Sequence, residues 1–239
     1  MEVSRTRVLG SSYIGLFGIT NDKLCIMGRG LKKETQKKIE KTLDVNVLEA
    51  GVYDSNLIAV FAKMNNNKIF LPSYALPKEI EHIEKEIKVK IIKTEQALGN
   101  LLEVNDTHGV VSKTLKESAV TQLKKSGLKI LQENMGKTDV IGSSLLLLNK
   151  SFLISPNATE EEVKKIQDTL NINGGSSTAN TGDSFVRNSV LANTKGFITG
   201  DLTTGHELNR IEEALEQGAR KWKHLKQREH TKKMGIKYL

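Results

Sequence analysis

Disulfide chemistry is excluded first, because the chain has a single cysteine, Cys25, which can form no internal bridge and gives no sign of an oxidising compartment. No apolar run approaches the roughly 20 residues that a membrane span needs; the longest lies near Leu145–Leu148. The first residues, MEVSRTRV, lack the apolar stretch of a secretion signal, and a cytoplasmic setting is the expectation. No metal-ligand spacing, Walker loop or G-x-G-x-x-G occurs, so neither a metal nor a cofactor is expected. Prolines number three, and each acts as punctuation: Pro72 ends an apolar run, Pro77 suits a first helical turn, and Pro156 breaks another run.

Charge of one sign is also scarce once it is located. The chain of 239 residues has a formal net charge of +8. Residues 218–239 hold eight basic residues against Glu229 alone, so +7 of the +8 lies there. The body before Gly218 is nearly neutral, and the basic character belongs to a tail. A charged fraction of 27% with 38% hydrophobic residues describes an ordinary soluble globular chain long enough to bury a core.

What the chain does contain is a repeat. In Asn149–Leu170 a short apolar run, Phe152-Leu153-Ile154, reads as a buried strand. After Pro156, Thr159 and Glu162 match the T-x-x-E capping box. Val163, Ile166 and Leu170 then fall on one helical face. The same box recurs at Thr114/Glu117 and Thr204/Glu207, steps of about 45 residues. Apolar runs recur in step at His108-Gly-Val-Val, Lys150-Ser-Phe-Leu-Ile and Lys195-Gly-Phe-Ile-Thr.

Taken in order, Val3–Val8 predicts a strand with no helix before it. The first unit has strands at Tyr13–Phe17 and Leu24–Met27, a helix over Lys33–Leu43 and a strand at Val45–Leu48. The second has Leu57–Phe61, Ile69–Leu71, a helix striped by Ile80, Ile83 and Ile87, and Val89–Ile92. The third has Leu101–Val104, Val110-Val111, its capped helix and Leu128–Leu131. The fourth is the template just described, and the fifth has Ser189–Ala192, Phe197–Thr199 and a helix from Gly205 to Glu216. It lacks a closing strand. Five β-β-α-β units, one strand short at the end and with one spare at the start, predict a closed ring in which Val3–Val8 completes the fifth unit and covers two edges. The ring is expected to be one domain over residues 1–217.

Several phrases in register with the repeat carry a resemblance: Ala97-Leu-Gly-Asn100, Asn105-Asp106 with His108-Gly-Val-Val-Ser112, Ser155-Pro-Asn-Ala-Thr-Glu-Glu-Glu162, and Thr199-Gly-Asp-Leu-Thr-Thr-Gly-His-Glu-Leu-Asn-Arg-Ile-Glu-Glu-Ala-Leu215. In these the chain resembles the archaeal translation initiation factor 6 family of ribosome anti-association factors, over about the first 217 residues. It departs from the family's pattern in the inserted Thr107, in Lys113 where a proline is usual, and in a diverged first helix. The resemblance implies an α/β pentein fold around a pseudo-fivefold axis, a non-enzymatic monomer, and binding to the large ribosomal subunit. The binding face lies beside the sarcin–ricin loop, and occupying it blocks the small subunit sterically.

Asn56, Asn100, Ser144 and Asn188 recur at a spacing of about 44, with Ser12 one period earlier, and are expected to be equivalent loop positions around the ring. Turn chemistry alone accounts for Asn and Ser before a strand; presentation to the ribosome is the functional alternative. The resemblance places Asn56, Val60, Asn100 and Ser144 in subunit binding, with Asn56 and Val60 standing where eukaryotic relatives carry Arg. Two further classes compete. Some pentein enzymes modify guanidino groups with a Cys nucleophile and a His base, which directs attention to Cys25 and His108. Such chemistry needs the thiolate and imidazole within hydrogen-bond reach, whereas Cys25 sits in an apolar run where an inert thiol is usual. A general RNA-binding protein is the other alternative. In the tail, Arg220, Lys221, Lys223, Lys226, Arg228, Lys232 and Lys233 are candidates for phosphate contact, and Trp222 for base stacking or for packing on the body.

Overall fold

The computed structural model describes residues 1–216. Among these residues, fifteen strands form five separate three-stranded sheets rather than one continuous barrel. In each, a middle strand pairs antiparallel with one neighbour and parallel with the other. The middle strands are Leu24–Gly28, Ile69–Pro72, His108–Val111, Ser151–Ile154 and Gly196–Gly200. Strand Glu2–Thr6 pairs parallel with Gly196–Gly200, from Glu2 opposite Gly196 to Thr6 opposite Gly200. The spare first strand therefore supplies the strand missing from the fifth unit, and the ring closes.

The middle strands are apolar without alternation because both of their faces are covered. In the second unit, Ile69 and Leu71 pack with Ile83 of the unit's own helix, Pro77–Glu84. Phe70, on the opposite face, packs with Ala119, Val120 and Leu123 of the next unit's helix, Glu117–Lys125. Cys25 and Met27 likewise face Ile39 and Leu43 of helix Lys33–Leu43, while Leu24 and Ile26 join the second unit's cluster. Phe152 and Ile154 meet Ile166 and Leu170, and Leu153 meets Ile211 and Leu215. Each helix is thus wedged between its own sheet and the preceding one, and Leu191 and Ile198 carry the pattern from the fifth unit back to the first. No unit has a complete core alone.

Two poles follow. At one, five short helical turns touch in cyclic order: Ile14–Leu16, Ile58–Phe61, Leu98–Asn100, Ile141–Ser144 and Val186–Ser189. Tyr13–Phe17 and Leu57–Phe61 are therefore turns rather than the strands their apolar content suggested, and the strands begin at Gly18 and Lys63. The turns pack backbone to backbone. A Cβ on Gly142 would lie 1.9 Å from the Gly99 carbonyl oxygen, and one on Gly99 2.1 Å from that of Ala59.

At the other pole the hairpin turns are tied side chain to backbone. Asn21 Nδ2 donates to the Asn65 carbonyl at 3.0 Å, Asn65 Nδ2 to that of Asn105 at 2.9 Å, and Asn105 Nδ2 to that of Leu148 at 3.3 Å. Asn193 Nδ2 donates to the Asn21 carbonyl at 3.1 Å. Leu148, which has no side-chain amide to give, interrupts this relay. The turns enclose a cavity of about 30 Å³ lined by all five units, room for about one water molecule.

The capping boxes at Thr159/Glu162 and Thr204/Glu207 form: each Thr Oγ1 accepts from its Glu amide, and each Glu carboxylate accepts from its Thr amide. The box expected at Thr114/Glu117 does not. That helix begins at Glu117 behind Lys116, and the Thr114 hydroxyl pairs with Ser112 Oγ instead.

Candidate functional site

The pole of helical turns has the properties of a docking surface. At the residue preceding each turn stand Tyr13, Leu57, Ala97, Val140 and Phe185, which share one backbone conformation. Three of the five are large and exposed, Tyr13 at 43%, Leu57 at 36% and Phe185 at 38%. Three residues further along come Leu16, Val60, Asn100, Ser143 and Asn188. None of these ten side chains is charged. Large apolar groups left in water on one contiguous rim mark an interaction surface.

The strict period of 44 misaligns the predicted set. The connection before the third unit has five residues, against seven before the second and nine before the fifth, so the register slips there. Asn56 is equivalent to Ser12, whereas Asn100 and Asn188 are equivalent to Val60 and Ser143. Asn56 is half-buried and holds the end of a strand: its Oδ1 accepts from the Arg29 amide at 3.0 Å and its Nδ2 donates to the Arg29 carbonyl at 3.3 Å. Ser144 is fully buried and donates to the Ile141 carbonyl at 3.3 Å; it is no exposed contact. Val60, Asn100 and Asn188 are half-exposed, and the side-chain amides of the two asparagines make no hydrogen bond among the described residues. The tail candidates Arg220, Lys221, Trp222, Lys223, Lys226, Arg228, Lys232 and Lys233 lie outside the described residues.

Beside this rim is an aromatic cluster that sequence reading missed. Tyr53, Phe61 and Tyr74 meet edge to face, with centroids 5.1 Å apart for Tyr53–Tyr74 and 6.1 Å for Phe61–Tyr74, a favoured geometry for aromatic rings. Burial raises the Tyr74 hydroxyl pKa, and the hydroxyl donates to the Gln96 carbonyl at 2.9 Å. The three residues are scattered over 22 positions, and only folding brings them together.

Nothing comparable surrounds the residues considered for catalysis. Cys25 is fully buried, and that burial pushes its thiol up to about 12, far from the thiolate a nucleophile requires. His108 lies in a different unit, and its ring nitrogen Nδ1 bonds the neighbouring Thr107 hydroxyl at 2.8 Å. Burial, then Lys129, lowers its pKa.

Five β-β-α-β units closed by the N-terminal strand define a pentein-type α/β ring. The sequence profile of the eIF-6 family matches residues 3–214, and the chain belongs to that family. It is 32% identical to the translation initiation factor 6 of Pyrococcus horikoshii over 224 residues, covering 90% of this chain and 99% of that one. With that of Sulfolobus acidocaldarius it shares 31% identity over 223 residues, covering 90% and 99%. Among solved structures, a dimethylarginine dimethylaminohydrolase from Pseudomonas aeruginosa superposes with a TM-score of 0.43 at 11% identity, covering 86% of this chain and 74% of that one.

Proposed function

We propose that this chain is a translation initiation factor that binds the large ribosomal subunit at its joining face and so keeps the small subunit away. Family membership supports the first part. The observation that carries the second is the uncharged rim, where Tyr13, Leu57 and Phe185 are exposed beside the unengaged amides of Asn100 and Asn188. The mechanism is steric exclusion and needs no bond chemistry; affinity for one subunit decides it. The core is fixed by five interlocked clusters, so the rim is presented preformed, with little ordering left to do on binding.

Co-sedimentation with separated ribosomal subunits tests this. The wild-type chain should pellet with the large subunit alone and reduce its joining to the small one. Asn100→Arg should weaken both effects without lowering the melting temperature, because its side chain carries no internal hydrogen bond. Pelleting and blocking equal to wild type would show that the rim is not the binding face.

A further inference from the structure

One surface pocket lies between the loop after the first strand and the first helix. It has a volume of about 500 Å³ and is walled by Arg7, Leu9, Gly10, Leu31, Lys32 and Lys38, with Glu34 the one acidic lining residue. The Lys32 side chain makes no hydrogen bond or ion pair among the described residues, whereas Arg7 pairs with Asp201 at 2.6 Å and Lys38 donates to the Arg5 carbonyl at 3.2 Å. Nothing lies within 4 Å of where a Cβ on Gly10 would stand.

Comparison of the units shows what this place normally holds. In the second unit, the Glu79 carboxylate accepts from the amides of Tyr53 and Asp54 at 2.7 and 2.9 Å and from that of Leu76 at 3.1 Å. In the fourth, Glu162 accepts from Gly136 at 3.2 Å and Thr159 at 2.8 Å. In the fifth, Glu207 accepts from Thr181 and Gly182 at 3.2 and 2.8 Å and from Thr204 at 2.8 Å. Each carboxylate joins a tight turn of positive φ to the helix that follows it. The third unit lacks that turn, and Gln96 Oε1 serves its Lys116 amide at 3.0 Å.

The first unit alone has the turn without the carboxylate. Its turn, Leu9 (φ 49°) and Gly10 (φ 81°), has the same left-handed backbone, but the residue equivalent to Glu79, Glu162 and Glu207 is Thr35, too short to reach it. The amides of Leu9, Gly10 and Lys32 consequently have no partner among the described residues. The unengaged ammonium of Lys32 and 500 Å³ of open space stand where a glutamate would be, with Arg7 and Lys38 beside them. We propose that this pocket binds a carboxylate side chain presented by an acidic segment of a partner protein. That carboxylate takes the place of the missing glutamate, against the Leu9 and Gly10 amides and between Arg7, Lys32 and Lys38. The size fits the argument, since the pocket admits a whole acidic side chain with its neighbours and has apolar walls at Leu9 and Leu31 for its methylenes. None of the ten rim residues lines this pocket.

The test uses amide NMR on the full chain with N-acetylglutamate amide and, separately, inorganic phosphate. N-acetylglutamate amide should shift the Leu9, Gly10 and Lys32 amides saturably. Thr35→Glu supplies the carboxylate from within the chain; it should raise the melting temperature and weaken the probe by about tenfold or more, the worth of a charged hydrogen bond. Lys32→Glu, an exposed change that leaves the fold alone, should weaken it as well. Equal binding by wild type and both variants, or no shift at Leu9 and Gly10, would overturn the proposal. Phosphate moving these amides while the carboxylate does not would overturn its ligand class.

Discussion

Lys63, Glu103 and Arg187 meet in the centre of the ring, each at least 93% shielded from solvent along its side chain. Lys63 Nζ stands 2.7 Å from Glu103 Oε2 and donates to the Gly142 carbonyl at 2.8 Å. Arg187 donates to the carbonyls of Gly15 and Val190 at 3.1 Å, with its Nε 3.8 Å from Glu103 and without an acceptor. All five units contribute to this knot. Two cations share one carboxylate there. Burial, then the Arg187 charge, lowers the Lys63 ammonium from 10.5 to about 8, against the pull of Glu103. Between those pH values the unfolded chain holds a proton that the folded chain has released, so raising the pH favours the folded state. The cost of the buried ammonium is full below about pH 8 and relieved by about pH 10.5. Thermal melts of wild type and Lys63→Met should therefore diverge in favour of wild type from pH 7.5 to pH 10; a constant difference would show that Lys63 is not depressed. None of this was legible in the sequence. Each of the three sits alone in a short strand or turn, and only ring closure makes them neighbours.

The elements were more legible, because their signals are local. Helix Lys33–Leu43 falls where its spacing places it, and the boxes at Thr159 and Thr204 mark true helix starts. The misreadings share a physical cause. Tyr13–Phe17 and Leu57–Phe61 are apolar because they pack against neighbouring turns at a pole, and an apolar run of five cannot announce which structure buries it. The predicted site slipped by the same logic: a repeat whose connections differ by up to four residues keeps its fold but not its period. The spare first strand was readable as a missing-partner problem. Its five pairs with Gly196–Gly200 cover an edge whose middle residues, Phe197 and Ile198, are fully buried. Deleting residues 1–9 should therefore expose this edge, with a large drop in melting temperature and a loss of solubility. Unchanged melting and solubility would mean that the ring does not depend on its closing strand.

For the whole molecule, charge and shape are divided between two parts of the chain. Residues 1–217 are almost neutral, and their rim is uncharged, with apolar side chains exposed. The segment 218–239 carries +7, and we propose that it attracts phosphate. These contributions have different signatures. Contacts with RNA phosphates release counterions, so affinity falls with salt by roughly 0.7 to 0.9 logarithmic units per decade for each phosphate engaged. Apolar contacts at the rim carry no such slope. If the rim recognises and the tail attracts, truncation at Gln217 should flatten the salt dependence of large-subunit binding and weaken it at low salt. At high salt the truncated and full-length chains should converge, and the preference for the large over the small subunit should persist throughout. Sedimentation across a salt series reads both quantities. Equal slopes would show that the tail touches no phosphate. A lost preference with an unchanged melting temperature would assign recognition to the tail.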